Sequence, residues 1–555
     1  MKLKLSSKIT NKKKAQKSLG WFEEKNDKIL LIFISVFVLL SRWFGKSEYL
    51  FASDSGLYGL ALQKYDLSIH QPHPPGYPLY ILLAKPFYLL TGDANLALVI
   101  VSILFSVLAV WVVFTLAKEI FDRKVAWVSI ALLVTAPMVW FHGQVGLNYI
   151  SDIVFSSLVA LYSYRSVFNK KTNQLADLYW SSIFLAIGGG FRPTLILFMG
   201  PLWLWSVLKQ RSWKEFIKNT AIVFAVFSLW FVPQIYLSGG LEKTMRVFDS
   251  MFLHKDGVYS FSVFAAGFAK MWYRAKVIWN NFLLNFGVVS LAVIVSMFLW
   301  LIPDEDNKKI DKNNLLFWGL WIVPAMIFYL VIIFNMPGYL LVLIPAFTLL
   351  LSKAVIKLVD SLVKAYSAAN VKRNSSNILF LLVLLSVSFN VWNYYKTDEI
   401  IKLQKNTHQA IRASNSLWSN LDRVIHEEFN PQTTIIGIED SFVIWGLSQF
   451  EYYFPEYPVY SKIFWGIDNP EDKKWYLAHN HHLYLCDELE VYQADTRLIV
   501  VTGTWAKPSG DYSSVALGTI GEPAYLSYYD LFSLEIRTRI NNLPDINVYG
   551  IGNND

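Results

Sequence analysis

The chain has 555 residues, and its 90 aromatic residues (Phe, Tyr and Trp) almost equal its 92 charged residues in number. A soluble globular protein carries about a quarter charged residues, whereas this chain is 17% charged and 54% hydrophobic. This composition excludes a disordered chain. It also excludes a single soluble domain, because one core could not bury so much apolar surface. Cys486 is the only cysteine, which excludes an intramolecular disulfide and a cysteine-based zinc cluster.

The net charge of +8 divides into two parts at about residue 395. Residues 1–395 have a net charge of +18, whereas residues 396–555 have a net charge of −10. The cations of the first part lie in short runs between long apolar segments, which is the distribution expected of cytoplasmic loops. This pattern argues against nucleic-acid binding as the reason for the basic balance.

Apolar segments of membrane-spanning length recur along the first part of the chain. Residues 1–28 contain nine lysines and are predicted to form a basic cytoplasmic tail. The segment 29–44 follows, and no small-residue cleavage site comes after it, which favours an anchor over a signal peptide. The sequence predicts a polytopic α-helical membrane module over residues 29–394 with about eleven transmembrane helices. The other ten predicted segments are 94–117, 125–141, 150–168, 178–191, 194–208, 219–237, 279–302, 315–334, 338–352 and 377–394.

The basic residues also predict the orientation. With the N-terminus in the cytoplasm, the tail and the loops on that side hold 27 Lys and Arg residues, and the opposite loops hold about ten. An odd number of spans then places residues 395–555 outside the cytoplasm. There, apolar runs such as 434–438, 497–502 and 546–551 alternate with helix-like stretches such as 440–454, which predicts a C-terminal α/β domain. We therefore expect a multi-pass protein of the cell membrane with an extracytoplasmic C-terminal domain.

Two predicted outer loops, 45–92 and 238–278, are longer than simple connectors and too apolar for disorder. The first contains Asp54 at the start of a helix-like stretch, followed by a segment with four prolines between positions 72 and 78. Prolines fix φ and remove backbone donors, so this segment is predicted to be a stiff arm that holds His73 and Tyr77 at the membrane surface. A carboxylate in such company is a candidate general base. The alternative is that Asp54 only caps its helix.

These residues resemble a known family. An acidic residue opening the first outer loop, here in Asp54–Gly56, followed by the string His-Pro-Pro-Gly-Tyr-Pro-Leu at His73–Leu79, is similar to multi-spanning proteins of the GT-C glycosyltransferase superfamily that are related to protein O-mannosyltransferases. The resemblance covers roughly residues 29–210. The later spans match it only in general layout, and the tail shows no pattern of the family.

The resemblance implies a GT-C-like membrane enzyme that moves a sugar, mannose-like by this kinship, from a polyprenyl-phosphate carrier to an acceptor hydroxyl at the outer membrane face. The expected partners are the lipid-linked donor, a protein, lipid or polysaccharide acceptor, and the bilayer. In such enzymes the acidic residue of the first loop is the catalytic base or a metal ligand, and that role carries over to Asp54 alone. Many members have a second acidic residue next to it, where this chain has Ser55. A bound divalent metal is therefore left open, and no cofactor is assigned.

Other candidate residues follow from the charge that the reaction develops. The departing phosphate requires a cation, and Arg192 at the outer end of a span is one candidate, with an arginine reaching to the lipid headgroups as the alternative. Arg246 and Lys255, near the middle of the second long loop, are the preferred pair of further phosphate-binding cations. Tyr339 could contact the sugar or belong to the interfacial aromatic belt. The turn from His142 to Asp152 holds further candidates at the outer face.

Two other functions remain open from the sequence. A transporter or flippase of lipid-linked saccharides would also be polytopic and aromatic, but transporters usually show internal repeats and charges near the membrane centre. This sequence shows no repeat, and its distinctive residues lie in outer loops. A signalling or scaffold protein is the third alternative. The C-terminal domain could bind the acceptor, or it could only pack over the active-site groove.

Overall fold

The computed structural model describes residues 25–252, 258–287, 312–334, 336–365, 372–396 and 406–432, followed by shorter stretches at 434–439, 447–457, 459–462, 475–479, 482–485, 497–503, 513–519 and 523–530. Helices make up most of the described chain. They are α1 (residues 25–44), α2 (Ser53–Gln63), α3 (Pro78–Thr91), α4 (Ala94–Ile120), α5 (Arg123–Thr135), α6 (Pro137–His142), α7 (Ser151–Phe168), α8 (Gln174–Phe191), α9 (Thr194–Lys209), α10 (Trp213–Leu237), α11 (Leu241–Phe252), α12 (Val258–Phe261), α13 (Val263–Ala266), α14 (Ala269–Phe286), α15 (Lys312–Val331), α16 (Ile344–Ala365), α17 (Lys372–Lys396), α18 (His408–Glu428) and α19 (Leu447–Tyr453).

Side-chain caps fix where the long helices begin. The carboxylates of Asp93 and Asp122 accept backbone N–H groups at the starts of α4 and α5, and Asn173 and Ser212 do the same for α8 and α10. A proline ends one predicted span early, because Pro137 splits the segment 125–141 into α5 and α6. Most other helix bounds follow the predicted segments, but two predicted spans differ. Helix α14 begins at Ala269, inside the predicted loop 238–278, and the segment 338–352 opens with a 3₁₀ helix before α16 begins at Ile344.

Four described helices are long and apolar enough to cross a membrane by their length and composition: α4, α10, α15 and residues 375–395 of α17. Large apolar side chains such as Phe224 and Leu229 of α10 face outward and are largely exposed, as expected of surfaces that lie in lipid. The chain is therefore a mostly helical, multi-span membrane protein. The number of eleven spans remains a prediction.

The first outer loop is more helical than predicted. Besides α2, it contains α3, an apolar helix that begins directly after the proline-rich arm, with Pro78 at its first position. Proline at this position leaves no helical hydrogen bond unmade, because the first N–H groups of a helix have no partner within it. A second proline, Pro86, lies inside α3. Because of these prolines, the pattern of apolar residues did not predict this helix.

The C-terminal part contains strands. They are β1 (Thr434–Glu439), β2 (Val459–Lys462), β3 (Trp475–His479), β4 (His482–Leu485), β5 (Arg497–Gly503), β6 (Ser513–Thr519) and β7 (Pro523–Asp530), in the spatial order β4-β3-β2-β1-β5-β7-β6. The central strand β1 is parallel to β2 and to β5, with Ile436 opposite Val459 on one side and Ile499 on the other. The predicted helix at 440–454 is present as α19, while residues 440–446 and the predicted strand at 546–551 lie outside the described residues.

Candidate functional site

Asp54 is the second residue of α2, near the outer end of α1. Ala52 precedes the helix, and its backbone N–H donates to the hydroxyl of Ser55 at 2.9 Å. No side-chain capping bond comes from Asp54 in this helix start, so the alternative that Asp54 only caps the helix is wrong. The Asp54 carboxylate instead points to side chains from other segments, and it keeps 28% of its surface exposed. A ligand can therefore reach it.

The proline-rich arm brings His73 to Asp54. The Nδ1 atom of His73 lies 3.9 Å from Oδ1 of Asp54, and its Nε2 lies 3.0 Å from the hydroxyl of Tyr77. Burial raises the pKa of Tyr77 far above that of a free phenol, so the hydroxyl stays protonated and donates to Nε2. This bond selects the tautomer with the proton on Nδ1, which faces Asp54. Tyr58, one helical turn after Asp54, stacks on the His73 ring with 5.7 Å between centroids.

Gly76 shows why the arm has this sequence. Its φ is +120°, a conformation open to glycine, and a Cβ here would lie 2.8 Å from the side-chain oxygens of Gln234 and Tyr65. The same two side chains hold the arm, because Gln234 donates to the carbonyl of Pro75 at 3.0 Å and Tyr65 to that of Gly76 at 3.2 Å. Helix α10 and the loop before the arm therefore fix the position of His73.

Tyr149, in the outer turn before α7, completes the contacts of Asp54. Its hydroxyl donates to Oδ2 of Asp54 at 3.3 Å. Burial raises the pKa of Tyr149 well above its ordinary value, so the phenol remains a neutral donor. Tyr149 also packs against the buried ring of His142, with 5.2 Å between centroids. Asp54 is thus held between the proline-rich arm on one oxygen and the turn before α7 on the other.

Arg192 lies behind Tyr149 and does not reach the membrane surface. Its side chain is 7% exposed and forms an ion pair with the equally buried Asp152 of α7. Its guanidinium lies 4.7 Å from the centre of the Tyr149 ring and 4.8 Å from that of Tyr339. The alternative of an arginine that extends to the lipid headgroups is wrong, because a buried carboxylate neutralises this cation inside the protein.

Tyr339 lies in a short 3₁₀ helix, Pro337–Val342, between α15 and α16. Its ring is tilted against Tyr149 and stacked on Tyr329, at 5.7 and 5.8 Å between centroids, and Tyr329 donates to its carbonyl at 2.6 Å. The neighbouring Gly338 is needed for this packing, because a Cβ there would lie 2.7 Å from the rings of His142 and Tyr149. The structure thus brings Tyr339 to the layer behind Asp54.

Arg246, one residue of the remaining predicted pair, is not part of this cluster. Arg246 lies on α11, is largely exposed and forms an ion pair with Glu242 one turn earlier. Lys255 lies outside the described residues. Their predicted role with phosphate remains a prediction. Two residues of the site were missed by the sequence reasoning, Tyr58 and Tyr149. The spacing from Asp54 to Tyr58 places both on one helix face, and Tyr149 lies in the outer turn from His142 to Asp152 that already held candidates.

The described side chains around Asp54 do not by themselves complete a divalent-metal site. No group of three His, Cys, Asp or Glu side chains that could hold an ion occurs in the part of the chain that the structure describes. Ser55, where relatives have a second acidic residue, is buried, and its hydroxyl donates to the carbonyl of Ala52. Asp54 and His73 offer two ligands, so a divalent ion here would take its remaining ligands from water and from the substrate phosphate.

Comparison with known proteins gives the family context of this site. Residues 72–236 match the family described as dolichyl-phosphate-mannose-protein mannosyltransferase. The match begins in the proline-rich arm and includes Tyr77, Tyr149, Asp152 and Arg192. The resemblance to mannosyltransferases that was predicted from the first long loop is confirmed over these residues.

One curated protein and one fold extend the comparison beyond the mannosyltransferase region. Protein O-mannosyl-transferase tmem260 of Dictyostelium discoideum is 20% identical over 336 residues, which cover 56% of this chain and 40% of that protein. The chain therefore spans well under two thirds of the curated relative. The crystal structure of ArnT from Cupriavidus metallidurans bound to undecaprenyl phosphate has a TM-score of 0.53 at 13% identity, covering 90% of this chain and 97% of ArnT. Its apo form gives the same TM-score at 14% identity, with 91% and 98% covered. The fold is thus similar to that of ArnT.

Proposed function

We propose that this protein transfers a mannose-like sugar from a polyprenyl-phosphate carrier to an acceptor hydroxyl at the outer membrane face, with Asp54 as the general base. The observation that carries the proposal is the half-open carboxylate of Asp54, held by Tyr149 at 3.3 Å and faced by His73 at 3.9 Å. The mannosyltransferase match over residues 72–236 supports the sugar and donor class. The ArnT structure that has a similar fold was determined with undecaprenyl phosphate bound, which supports a lipid phosphate as leaving group.

The reaction requires one proton transfer. The acceptor oxygen attacks the anomeric carbon and forms the new glycosidic bond, while the bond between that carbon and the phosphate oxygen breaks. The acceptor proton moves to Asp54, and the electron pair of the broken bond leaves with the polyprenyl phosphate. A positioned carboxylate contributes about 10² to 10⁴ in rate to such a step. His73, with the proton on Nδ1, faces Asp54 and helps to orient its carboxylate.

We assign the residues behind Asp54 to support of this base. Arg192 already has Asp152 as its counter-ion, so its charge is not free for the departing phosphate. Its contacts with the rings of Tyr149 and Tyr339 instead fix the phenol that donates to Asp54, a cation–π arrangement that gains strength when buried. Tyr77 supports His73 through the hydrogen bond from its hydroxyl to Nε2. Arg246 and Lys255 of the second long loop remain the proposed cations for the phosphate.

The same proposal includes the arrangement in the membrane. We infer a basic cytoplasmic tail at 1–28, a transmembrane glycosyltransferase module of about eleven spans at 29–394, and an extracytoplasmic α/β domain at 395–555. The distribution of basic residues supports this orientation. The parallel strands β2, β1 and β5 at the centre of a mixed sheet support the α/β domain. The acceptor, whether protein, lipid or polysaccharide, binds at the outer face near Asp54.

The test is the Asp54→Asn variant in membranes supplied with undecaprenyl-phosphate mannose that carries tritium in the sugar, together with a mixed acceptor pool. We expect transfer to fall at least about 100-fold at unchanged expression. Asp249→Asn is the matched control, because Asp249 is an exposed carboxylate on α11, and it should transfer at the wild-type rate. Wild-type transfer by Asp54→Asn would refute the base. A wild-type protein that moves the intact labelled lipid across the membrane without transferring the sugar would favour the flippase alternative.

A further inference from the structure

The short helix α19 from the C-terminal part of the chain packs directly against the segment that carries Asp54. Residues 45–52 connect α1 to α2. Helix α19 lies along the segment Leu50–Ser53, where this connection enters α2, and along α2 itself. About 400 residues of sequence separate the two segments. The contact therefore joins the C-terminal part to the opening of the first outer loop.

Three side chains of α19 bond the backbone before Asp54. The side-chain amide of Gln449 donates to the carbonyl of Leu50 at 2.5 Å, and the hydroxyl of Tyr453 accepts the N–H of Leu50 at 2.7 Å. Ser448 donates to the carbonyl of Ser53 at 2.9 Å. Buried backbone groups need partners, and Leu50 receives both of its partners from α19.

Glycine allows α19 to approach α2 this closely. A Cβ on Gly56 would lie 2.6 Å from Oγ of Ser448 and 2.8 Å from the backbone nitrogen of Gln449. On the same face of α2, a Cβ on Gly59 would lie 3.3 Å from the ring of Tyr452. The backbone contact at Gly56 cannot be relieved by turning a side chain, so any larger residue there forces the two helices apart.

The helix α19 is itself held rigidly from behind. The fully buried Trp418 of α18 packs on Phe450 and Tyr453, at 5.2 and 5.3 Å between ring centroids. Gln449 and Phe450 are also fully buried. A buried support of this kind transmits its position to whatever it bonds, because packed interiors deform little.

We propose that α19 is a positioning element for Asp54, and that Gln449 and Ser448 are its positioning residues. This inference rests on the proposed function of Asp54 as the base. The connection Leu50–Ser53 has no helical hydrogen bonds of its own at Leu50, so its path into α2 is set by the bonds from α19. A shift of about 1 Å in a catalytic group can lower a rate about 100-fold. The C-terminal part of the chain thus controls the geometry of the reaction without contacting the reacting atoms.

A positioning role and a purely structural role differ in the kinetic constants. We expect Gln449→Ala to lower kcat for transfer from undecaprenyl-phosphate mannose at least about tenfold, while KM for this donor stays within about twofold. Gly56→Ala should do the same through the contact with α19. Gly200→Ala of α9 is the matched control, because a Cβ there meets nothing within 4 Å, and it should leave both constants unchanged.

A disulfide tests the contact and restores it. The Oγ atoms of Ser53 and Ser448 lie 3.5 Å apart, so Ser53→Cys with Ser448→Cys, in a Cys486→Ser background, should form a disulfide on oxidation, seen by mass spectrometry of the digested protein. Added to Gln449→Ala, the oxidised pair should raise kcat at least about threefold, and reduction should abolish this gain. This readout does not depend on expression, because the same sample is measured before and after reduction.

The outcomes separate the two proposals. If transfer depends on Asp54 and the disulfide forms, but Gln449→Ala and Gly56→Ala keep the wild-type kcat, α19 has no positioning role and the proposed function stands. A rise in KM alone would equally overturn the positioning role in favour of substrate binding. If the wild-type protein shows no transfer that depends on Asp54, the proposed function fails and the positioning role with it, whether or not the disulfide forms.

Discussion

Asp27 lies near the start of α1, and Asp54 lies beyond the other end of that helix, in α2. Helix α1 is about 30 Å long, and the surroundings of the two carboxylates differ in kind. Asp27 is 3% exposed and accepts hydrogen bonds from Lys118 at 3.0 Å, Arg123 at 2.7 Å and the indole of Trp127 at 3.2 Å. Asp54 is 28% exposed, and its contacts are one phenol and one imidazole at longer distances.

This difference in surroundings indicates the role of each carboxylate. Every strong acceptor position of Asp27 is occupied by a group of the protein, and its two cations tie α1 to the turn between α4 and α5. Burial alone would raise the pKa of Asp27, but the bonds from Arg123 and Lys118 lower it below its ordinary value. Asp54 has unoccupied acceptor capacity and an open side, which a structural carboxylate does not need and a base requires.

The largest expected effect is that of Asp54→Asn, which separates activity from stability. Transfer should fall about 10² to 10⁴-fold, equivalent to about 3 to 5 kcal/mol in the barrier. The apparent Tm in detergent should stay within about 2 °C of the wild type, because the asparagine side chain keeps the same shape and few bonds are lost. Transfer is measured with the labelled donor and Tm by intrinsic fluorescence. A large drop in Tm would show that Asp54 is a structural carboxylate like Asp27.

The converse change is Asp27→Asn, which should lower stability and leave the rate per folded molecule unchanged. It removes the anion between two cations, and we expect a loss of about 2 kcal/mol, since hydrogen bonds to charged groups contribute about 1.5 to 3 kcal/mol. The measurement is the apparent Tm in detergent. Asp360→Asn is the control, because its pair with Lys124 is half exposed at 3.6 Å and such pairs contribute little. An equal drop in both variants would contradict the comparison.

Much of the helical bundle could be predicted from the sequence because lipid imposes long apolar segments. The segment 150–168 became α7 (Ser151–Phe168), and 194–208 became α9 (Thr194–Lys209). Helix α3 was missed because its prolines, Pro78 and Pro86, indicate an extended chain, yet the first takes the helix start, where proline fits. The ion pairs of Asp27 were not foreseeable, because they join positions about 90 residues apart.

Only those residues of the site that lie close together in the sequence could be predicted. Asp54, His73 and Tyr77 lie within one loop, so the motif identified them together. The role of Tyr149 depends on how the turn before α7 packs against α2. Arg192 was expected to bind the departing phosphate, because the sequence does not show that Asp152 is its buried partner. The bond from Gln449 to Leu50 leaves no local signal. Contacts between segments that are distant in sequence are set by packing, and the periodicity of the sequence does not predict them.

The next smaller effect is that of Tyr149→Phe, which sharpens the description of Asp54. The variant removes the hydroxyl bonded to Oδ2 of Asp54 and keeps the ring that packs on Arg192 and His142. We expect about a tenfold lower kcat, equivalent to about 1.4 kcal/mol, with little change in Tm. The parallel variant Tyr162→Phe, on a ring of α7 packed against Phe184, should have wild-type kcat. A Tyr149→Phe enzyme with unchanged kcat would leave His73 as the only support of the base.

The smallest expected effect comes from an exposed charge cluster around His426 on α18. The ring donates from Nδ1 to the carbonyl of Asp422 at 3.0 Å and lies 2.8 Å from the carboxylate of Glu456. Burial would lower the pKa of His426, but these two partners raise it above its ordinary value. A raised histidine pKa contributes stability that is complete below the unfolded-state pKa of about 6.5 and is lost as pH rises through the higher folded-state value. Since the ring is 43% exposed, solvent screening limits this to less than about 1 kcal/mol. The wild-type Tm should therefore fall more than that of His426→Gln between pH 5.5 and pH 8.5, and equal shifts in the two proteins would show that the cluster contributes nothing to stability.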